Sequence, residues 1–165
     1  AAVVHEIQGQ IPFVIVGDGV WRTRAEARVR ELGLEDVVRF AGWIPDSIRA
    51  YSLFTVLALP SLWEGMPYVL LEGMALGKPV VGANVNGISE VIRDGDNGIV
   101  VPPNNPSALA HAILDLATYP ELARRLATKA SAHVHLHHGA KEMAARTMEV
   151  YERILIRDHN SPLEN

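Results

Sequence analysis

Residues 60–81 read PSLWEGMPYVLLEGMALGKPVV and predict a helix that is entered directly from a strand. Pro67 suits the first turn of a helix, where its missing N–H costs no hydrogen bond. Gly77 and Pro79 are typical of the end of a helix. The residues between are apolar on every side of a helical wheel except at Glu72. Because a helix that is apolar all round is usually buried, we expect this one to lie in the core.

Two carboxylates, Glu64 and Glu72, lie on either side of the predicted start of this helix. A buried Glu72 without partners would cost several kcal/mol, so it needs hydrogen-bond donors. The two vicinal hydroxyls of a ribose would serve, since one carboxylate accepts a hydrogen bond from each. A neighbouring loop of the protein would serve equally well. Glu64 precedes the helix, whose positive end favours an ionised carboxylate, so it either binds a substrate hydroxyl or merely complements the helix dipole.

The rest of the chain alternates apolar, strand-like runs with helical ones. We predict strands at residues 12–16, 37–40, 54–59, 80–83 and 98–101, and further helices at 21–32, 45–52, 88–92, 107–117, 120–134 and 141–156. Uninterrupted apolar strands between helices indicate a parallel sheet that is covered on both faces. Such sheets bind ligands beyond the carboxyl ends of their strands, where residues 42–44, 60–65 and 82–87 fall.

The quoted stretch resembles the donor-binding signature of the retaining glycosyltransferases of family 4, which have the GT-B fold. That signature is Pro-Ser, two residues, Glu-Gly, six residues, Glu-Ala-Met-Ala, one residue, Gly, one residue and Pro-Val-Val. Further blocks match at residues 14–19, 38–42, 86–90 and 94–102, so the resemblance covers about residues 10–156. Gly73 replaces the usual Ala, and Asn86 replaces the first Gly of the later loop.

The resemblance implies a Rossmann-like parallel sheet flanked by helices, the C-terminal half of a GT-B fold. Residues 1–156 would form a nucleotide-sugar-binding domain truncated at its N-terminal strand, and residues 157–165 a disordered tail. The implied reaction moves a sugar from a nucleoside-diphosphate sugar to an acceptor hydroxyl with retention of configuration. The chain opens inside a helix that Gly9 ends, so we expect a fragment of a longer protein. The acceptor domain, and the Arg and Lys that neutralise the diphosphate in the family, would then lie upstream of Ala1, and the fragment alone should not catalyse transfer.

The same resemblance assigns roles to single residues. Glu64 is the expected catalytic residue, which hydrogen-bonds hydroxyls of the donor sugar, and Glu72 is expected to bind the ribose. The other residues expected to bind the donor are Gly17, Gly42, Trp43, Ile44, Ser61, Gly65, Met66 and Glu90. In the family, residues corresponding to the turn at 42–44 bring backbone groups to the nucleobase, and no metal ion or other cofactor takes part.

Other interpretations of these residues stay open. Gly17-Asp18-Gly19 after a strand is also typical of a plain tight turn, and Glu90 of a solvated surface acid. A nucleotide-sugar epimerase of GT-B architecture, or a non-catalytic nucleotide- or sugar-phosphate-binding domain, would share much of the pattern. A Rossmann dehydrogenase would need Gly at position 22, where this chain has Arg.

Composition limits the remaining classes of function. The chain has 165 residues, of which 48% are hydrophobic and 21% charged, with a net charge of −4 and no Cys. The negative charge argues against a nucleic-acid surface, and no apolar run reaches the ~20 residues that span a bilayer. We expect a cytoplasmic domain, with any peripheral membrane association made through the longer protein. The histidines between His133 and His138 predict at most incidental metal binding, since no carboxylate lies among them.

Overall fold

The computed structural model describes residues 1–9 and 11–159. Within them, the strands are β1 (Phe13–Val16), β2 (Val38–Gly42), β3 (Leu57–Leu59), β4 (Val80–Ala83) and β5 (Ile99–Val101). The helices are α1 (Ala2–Gln8), α2 (Arg22–Glu31), α3 (Ser47–Ser52), α4 (Tyr68–Ala75), α5 (Ile88–Val91), α6 (Pro106–Thr118), α7 (Pro120–His137) and α8 (Ala140–His159). Every predicted element is present, and its ends differ from the prediction by three residues or fewer.

The strands form two parallel sheets, β1–β2 and β3–β4–β5. In the three-stranded sheet, neighbouring residues of β4 point to opposite faces. Val80 packs among Leu70 and Met74 of α4, whereas Val81 packs among residues of α6 that include Leu116. All four residues of β4 are buried. The predicted α/β architecture, with helices on both faces of a parallel sheet, is therefore confirmed.

The two-stranded sheet is less covered than its sequence predicts. Val14 and Ile15, in the middle of β1, are 48% and 43% exposed, although an apolar run of this kind predicts a buried strand. β1 pairs with β2 on one edge only, and β3 pairs with β4 on one edge only, within the part of the chain that the structure describes. Phe13 of β1 and Ala58 of β3 nevertheless pack against the same cluster under α6. The two sheets thus rest on one helix layer, each with an unpaired edge.

Helix α4 ends as the sequence predicts, in a Schellman motif. The N–H of Gly77 donates to Met74 O at 2.9 Å and that of Lys78 donates to Gly73 O at 2.9 Å, with Gly77 at φ 66°. Gly73, the departure from the family pattern, has a packing reason. A Cβ at this position would collide with Cδ2 of Leu57 on β3, so Gly lets α4 approach the sheet.

The expectation that α4 is buried all round is wrong in part. Leu70, Gly73 and Met74 are buried, but Tyr68 is 69% exposed and Glu72 is only half-buried. The buried residues face β3, β4 and α7, whereas the first turn of the helix emerges at the carboxyl edge of the sheet. Apolar sequence around the whole wheel therefore does not distinguish a core helix from one whose first turn borders an open site.

The C-terminal region consists of α7, which packs on α4 and α6, followed by α8. Helix α8 continues to His159, three residues into the segment that we predicted as a disordered tail, and residues 160–165 of that segment lie outside the described residues. Among the described helices, none combines the length and the apolar character that a bilayer span requires.

Candidate functional site

The loops that follow β1 and β2 meet at the carboxyl edge of their sheet. The N–H of Gly17 donates to Gly42 O at 2.7 Å, and both glycines have positive φ, 117° and 68°. Two of the predicted site residues are therefore brought together by a direct backbone hydrogen bond. Glycine suits both positions because other L-residues adopt such dihedrals only at a cost.

A charged group covers this pair of turns. Arg22 Nη1 lies 2.9 Å from Asp18 Oδ2, and Arg22 Nε lies 2.8 Å from Glu26 Oε1. A Cβ on Gly42 would lie 3.1 Å from Arg22 Nη1, so the guanidinium sits directly over the turn. The Gly19 N–H and then the guanidinium of Arg22 hold the pKa of Asp18 below its ordinary value. Since two carboxylates already bind Arg22, its charge is locally neutralised and is not available to a phosphate without rearrangement.

Glu72 receives a donor that its local sequence does not supply. Ser47 Oγ, at the first residue of α3, lies 3.3 Å from Glu72 Oε2. Ser47 follows the N-cap Asp46, whose carboxylate accepts the N–H of Arg49 at 3.0 Å. The Ser47 contact is longer than the usual O–H···O distance of about 2.7–2.8 Å, so it leaves Glu72 able to accept from other donors. It also places Glu72 beside the segment 42–46 that follows β2.

Glu64 lies where two further loops touch. A Cβ on Gly87 would lie 2.7 Å from the carbonyl oxygen of Glu64 and closer still to that of Gly65. Only glycine, here at φ 79°, allows the loop after β4 to approach the loop after β3 so closely. The Glu64 side chain is half-buried at this junction, and Ser61, in the same loop, is half-buried as well.

The helix N-terminus beside Glu64 differs in detail from the prediction. Pro67 precedes the first helical residue as the N-cap, and the N–H of Tyr68 donates to Met66 O at 3.0 Å. Gly65 is exposed and Met66 is 47% exposed. The N–H of Tyr68 is therefore already used within the chain.

The remaining predicted site residues differ in exposure. Trp43 is 77% exposed, Ile44 is half-buried, and Glu90 in α5 is exposed. The structure shows no hydrogen bond from the Glu90 carboxylate to another predicted site residue within the described part of the chain. Glu90 is related to the site by its position in the short helix after Gly87 and by no side-chain contact that the structure describes.

Several residues of the carboxyl edge are open to solvent, with Trp43 77% and Met66 47% exposed. A groove of about 600 Å³ lies elsewhere, between the end of α4 at Gly77 and Pro79 and the face of α7 around Ala127 and Ser131. An open edge binds a ligand tightly only when a second body closes over it, because most drug-sized ligands are largely buried in their sites.

Two residues of this region, Ser47 and Arg22, were missed as site residues from the sequence. The capping pattern of Asp46-Ser47 before a short helix indicates where α3 begins, but nothing local indicates that α3 meets α4. Within residues 1–9 and 11–159, no three His, Asp or Glu side chains are arranged to hold a metal ion.

Comparison with known proteins gives the family of the chain. Residues 1–133 match the family model described as "Glycosyl transferases group 1". The chain belongs to this family of glycosyltransferases. It is 40% identical over 124 residues to the alpha-D-kanosaminyltransferase of Streptomyces kanamyceticus, covering 72% of this chain and 31% of that protein. It is 37% identical over 122 residues to a D-inositol 3-phosphate glycosyltransferase of Streptomyces bingchenggensis, covering 73% and 27%.

Solved structures agree on the fold of this glycosyltransferase domain. The crystal structure of Anabaena HepE in complex with UDP matches with a TM-score of 0.84 and 22% identity, covering 92% of this chain and 44% of HepE. Together these matches confirm the predicted C-terminal domain of a GT-B glycosyltransferase. The chain spans about a third or less of the length of the two Streptomyces relatives.

Proposed function

We propose that this glycosyltransferase domain binds the donor, a nucleoside-diphosphate sugar, for a reaction that retains anomeric configuration. The observation that carries the proposal is the placement of Glu64 before α4 and Glu72 within it, with the backbone of Glu64 against the loop after β4 and the Glu72 carboxylate beside Ser47 of α3. Glu72 would accept from the ribose hydroxyls, and Glu64 from hydroxyls of the transferred sugar. The exposed backbone at Gly65 and Met66, between the two carboxylates, would then adjoin the diphosphate.

The order of contacts along the edge matches the order of groups in such a donor. Ser47 links Glu72 to the segment 42–46, so a ribose on Glu72 would direct its base toward Trp43 and Ile44. Gly87 packs on the backbone of residues 64 and 65, so Glu90 in the following helix would adjoin the sugar end. Gly17 supports the base side through its hydrogen bond to Gly42, and Ser61 belongs to the sugar side.

The reaction breaks the bond between the anomeric carbon and the diphosphate oxygen and forms a bond from that carbon to the acceptor oxygen, whose proton is released. The leaving diphosphate needs positive charge. Arg22, a cation at the described edge, is held by Asp18 and Glu26. We therefore propose that cationic side chains for this step come from another part of the full protein, and that neither a metal ion nor another cofactor is required.

The sheet topology indicates where that part would attach. Doubly wound nucleotide-binding sheets commonly have the strand order 3-2-1-4-5-6, with the ligand at the crevice beside the first strand. The pairs β2–β1 and β3–β4–β5 correspond to 3-2 and 4-5-6. We propose that a central strand enters between β1 and β3, that it precedes α1 in the full protein, and that the acceptor-binding domain lies upstream of it. Alone, the present chain should not transfer sugar.

We also place the reaction in the cytoplasm, with any contact to a membrane peripheral and made by other parts of the full protein. This placement rests on the resemblance to the family.

Retention of activity by the full-length enzyme in EDTA would support the metal-free reaction, and a loss of activity that Mg²⁺ restores would contradict it.

The test is steady-state kinetics on the full-length enzyme beside titration with nucleoside diphosphate. Glu64→Gln should raise the barrier in kcat/KM by roughly 2–4 kcal/mol, comparable to the loss of one preorganised electrostatic contact, and should leave nucleoside diphosphate binding nearly unchanged. Glu72→Gln should weaken that binding, but not the binding of a 2′,3′-dideoxy nucleotide. Glu121→Gln, at an exposed acid on α7, is the control.

Three outcomes would count against these roles. An unchanged kcat/KM in Glu64→Gln would contradict the assignment of Glu64 to the sugar site. Equal losses of affinity for the normal and the dideoxy nucleotide in Glu72→Gln would contradict the assignment of the ribose to Glu72. Isomerisation of the donor sugar without any acceptor would indicate an epimerase.

A further inference from the structure

The corner between α7 and α8 holds a cluster of histidines that the donor site does not use. The ring of His133 lies 4.8 Å from that of His137 and 5.3 Å from that of His138, measured between ring centroids. Nε2 of His133 is inaccessible to water and has no hydrogen-bond partner within the described residues. Three imidazoles therefore lie close together. Among the described residues, the buried Nε2 of the central ring, His133, has no hydrogen-bond partner.

The charges around this cluster are mainly positive. Arg93, in the loop between α5 and β5, acts on His133 together with His137 and His138, and only Asp96 of the same loop opposes them. Arg146 of α8 acts on His138. Helices α4 and α6, which also pack on α7, supply none of the charges that act on these two histidines in the described structure. The pKa of His133 is lowered first by burial and then by Arg93 and the neighbouring histidines. The pKa of His138 is lowered by burial and then by His137.

One side of the corner is fixed. The side chain of Asn97, which is 1% exposed, accepts the N–H of Arg93 at 2.7 Å and donates to Val91 O at 3.2 Å. Lys129 of α7 binds Asp96 at 2.6 Å, so the loop is tied to the body of that helix. The backbone of Arg93 is therefore held in this turn, and Asp96 already has a partner.

The other side of the corner is loosely packed. The large apolar side chains that the structure describes on α8 are more than half exposed, among them Met143, Met148, Tyr151 and Leu155. The ion pairs of this helix, Arg146 with Glu142 and Arg153 with Glu149, lie within the helix itself and do not bind it to α7. Repulsion at the corner would therefore displace the end of α7 and α8, and leave the loop of Arg93 in place.

We propose that the α7–α8 corner is a proton-sensitive joint, closed while His133 and His138 are neutral and opened when they are protonated. The sign follows from the environment. A histidine whose folded-state pKa is lowered stabilises the folded form above its ordinary pKa, and this contribution is lost as the pH falls through and below that value. Opening should thus begin below about pH 6.5, the unperturbed value for histidine, and should leave the sheets and α6 folded.

Amide hydrogen exchange of the chain, expressed as protection factors at about pH 7.5 and about pH 5.5, tests the joint. Because the stabilisation that comes from a lowered histidine pKa is lost in acid, we expect protection of residues 134–146 to fall several-fold on acidification. Protection of residues 110–116 on α6 should stay unchanged. His133→Phe, which keeps a ring and removes the titration, should abolish most of the fall.

Matched variants keep the test decisive. His138→Gln removes one of the two titrating rings and leaves His133 in place, and should reduce the fall if His133→Phe does not fold. His135→Gln is the control, because His135 lies in the same turn but points outward and hydrogen-bonds Ser131 O at 2.8 Å. The proposal is overturned if the folded cluster variants open like the original chain, if His135→Gln alone abolishes the opening, or if α6 opens with the corner.

Discussion

The two sheets of this domain have similar strand sequences but different surroundings. β4 reads VVGA and is wholly buried between helix layers, whereas β1 reads FVIV and leaves Val14 and Ile15 nearly half exposed. Among the residues that the structure describes, β4 has a strand on each edge and β1 has a strand on one edge only. Burial of an apolar strand is therefore set by its neighbours in the sheet as much as by its own residues. The donor site that we propose includes residues from both sides of this contrast, with Glu64 and Glu72 on the complete side and the turns at Gly17 and Gly42 on the incomplete side.

The largest effect that we expect is in amide exchange. Within β1 and within β3, residues whose N–H points to the paired edge should exchange more slowly than those whose N–H points to the unpaired edge. Phe13 and Leu57 donate N–H groups toward β2 and β4, at 2.7 and 2.9 Å, so by alternation those of Val14 and Ala58 point to the unpaired edges. In this chain, Val14 and Ala58 should exchange about a thousandfold faster than Ile15 and Leu57, which corresponds to about 4 kcal/mol of local protection. NMR measures each amide separately.

The same exchange measurement on the full-length protein tests whether a further strand covers these edges. Strong protection of Val14 and Ala58 there, and not in the 165-residue chain, would support a strand between β1 and β3. Protection in the short chain that rises with its concentration would instead indicate a second copy on these edges, and protection independent of concentration would show that the edge is already paired.

A pair of glycines with similar dihedrals should separate packing from conformation. Gly87→Ala should destabilise the fold by about 3 kcal/mol, because it adds a collision with the carbonyls of residues 64 and 65 to the cost of positive φ. Gly33→Ala, at φ 62° with open space around it, should cost about 1 kcal/mol. Urea unfolding gives both free energies, and equal losses would mean that the loops after β3 and β4 do not touch as closely as described.

A pair of valines compares the two sheets directly. Val81→Ala removes methyl groups from a fully buried position in β4 and should cost about 2–3 kcal/mol of stability. Val14→Ala, at a position 48% exposed, should cost about 1 kcal/mol. In the full-length protein the second loss should grow toward the first if a strand covers β1, and it should stay small if that edge is open there too.

The smallest effect that we expect is on the pH dependence of stability. It concerns two exposed aspartates, Asp18 after β1 and Asp96 before β5. Hydrogen bonds from Gly19 N–H and Arg22 lower the pKa of Asp18, and Lys129 lowers that of Asp96. Each carboxylate therefore stabilises the folded form above the ordinary aspartate pKa, and this contribution disappears as the pH falls below it. Asp18→Asn and Asp96→Asn should each be slightly less stable than the original chain at about pH 7 and equally stable at about pH 3, as measured by thermal unfolding. A difference that persists in acid would show that the side chains act through packing.

The sequence by itself determined the α/β class, the order of the elements and the two carboxylates that flank the start of α4. These features follow from local physics: hydrophobic periodicity, Pro67 before the helix, and Gly77 with Pro79 after it. It also located the turns at the carboxyl ends of the strands, since parallel α/β sheets place their binding loops there.

Only the tertiary structure decided how those parts meet. The contact of Ser47 with Glu72 joins residues that are 25 positions apart, and the approach of Gly87 to the loop of Glu64 depends on the pairing of β3 with β4. The half-exposure of β1 and the first turn of α4 depends on which neighbours are present, a property that no local pattern contains. Side-chain partners and burial are set by contacts between distant segments, and for that reason the sequence offers candidate residues for a site but not their arrangement.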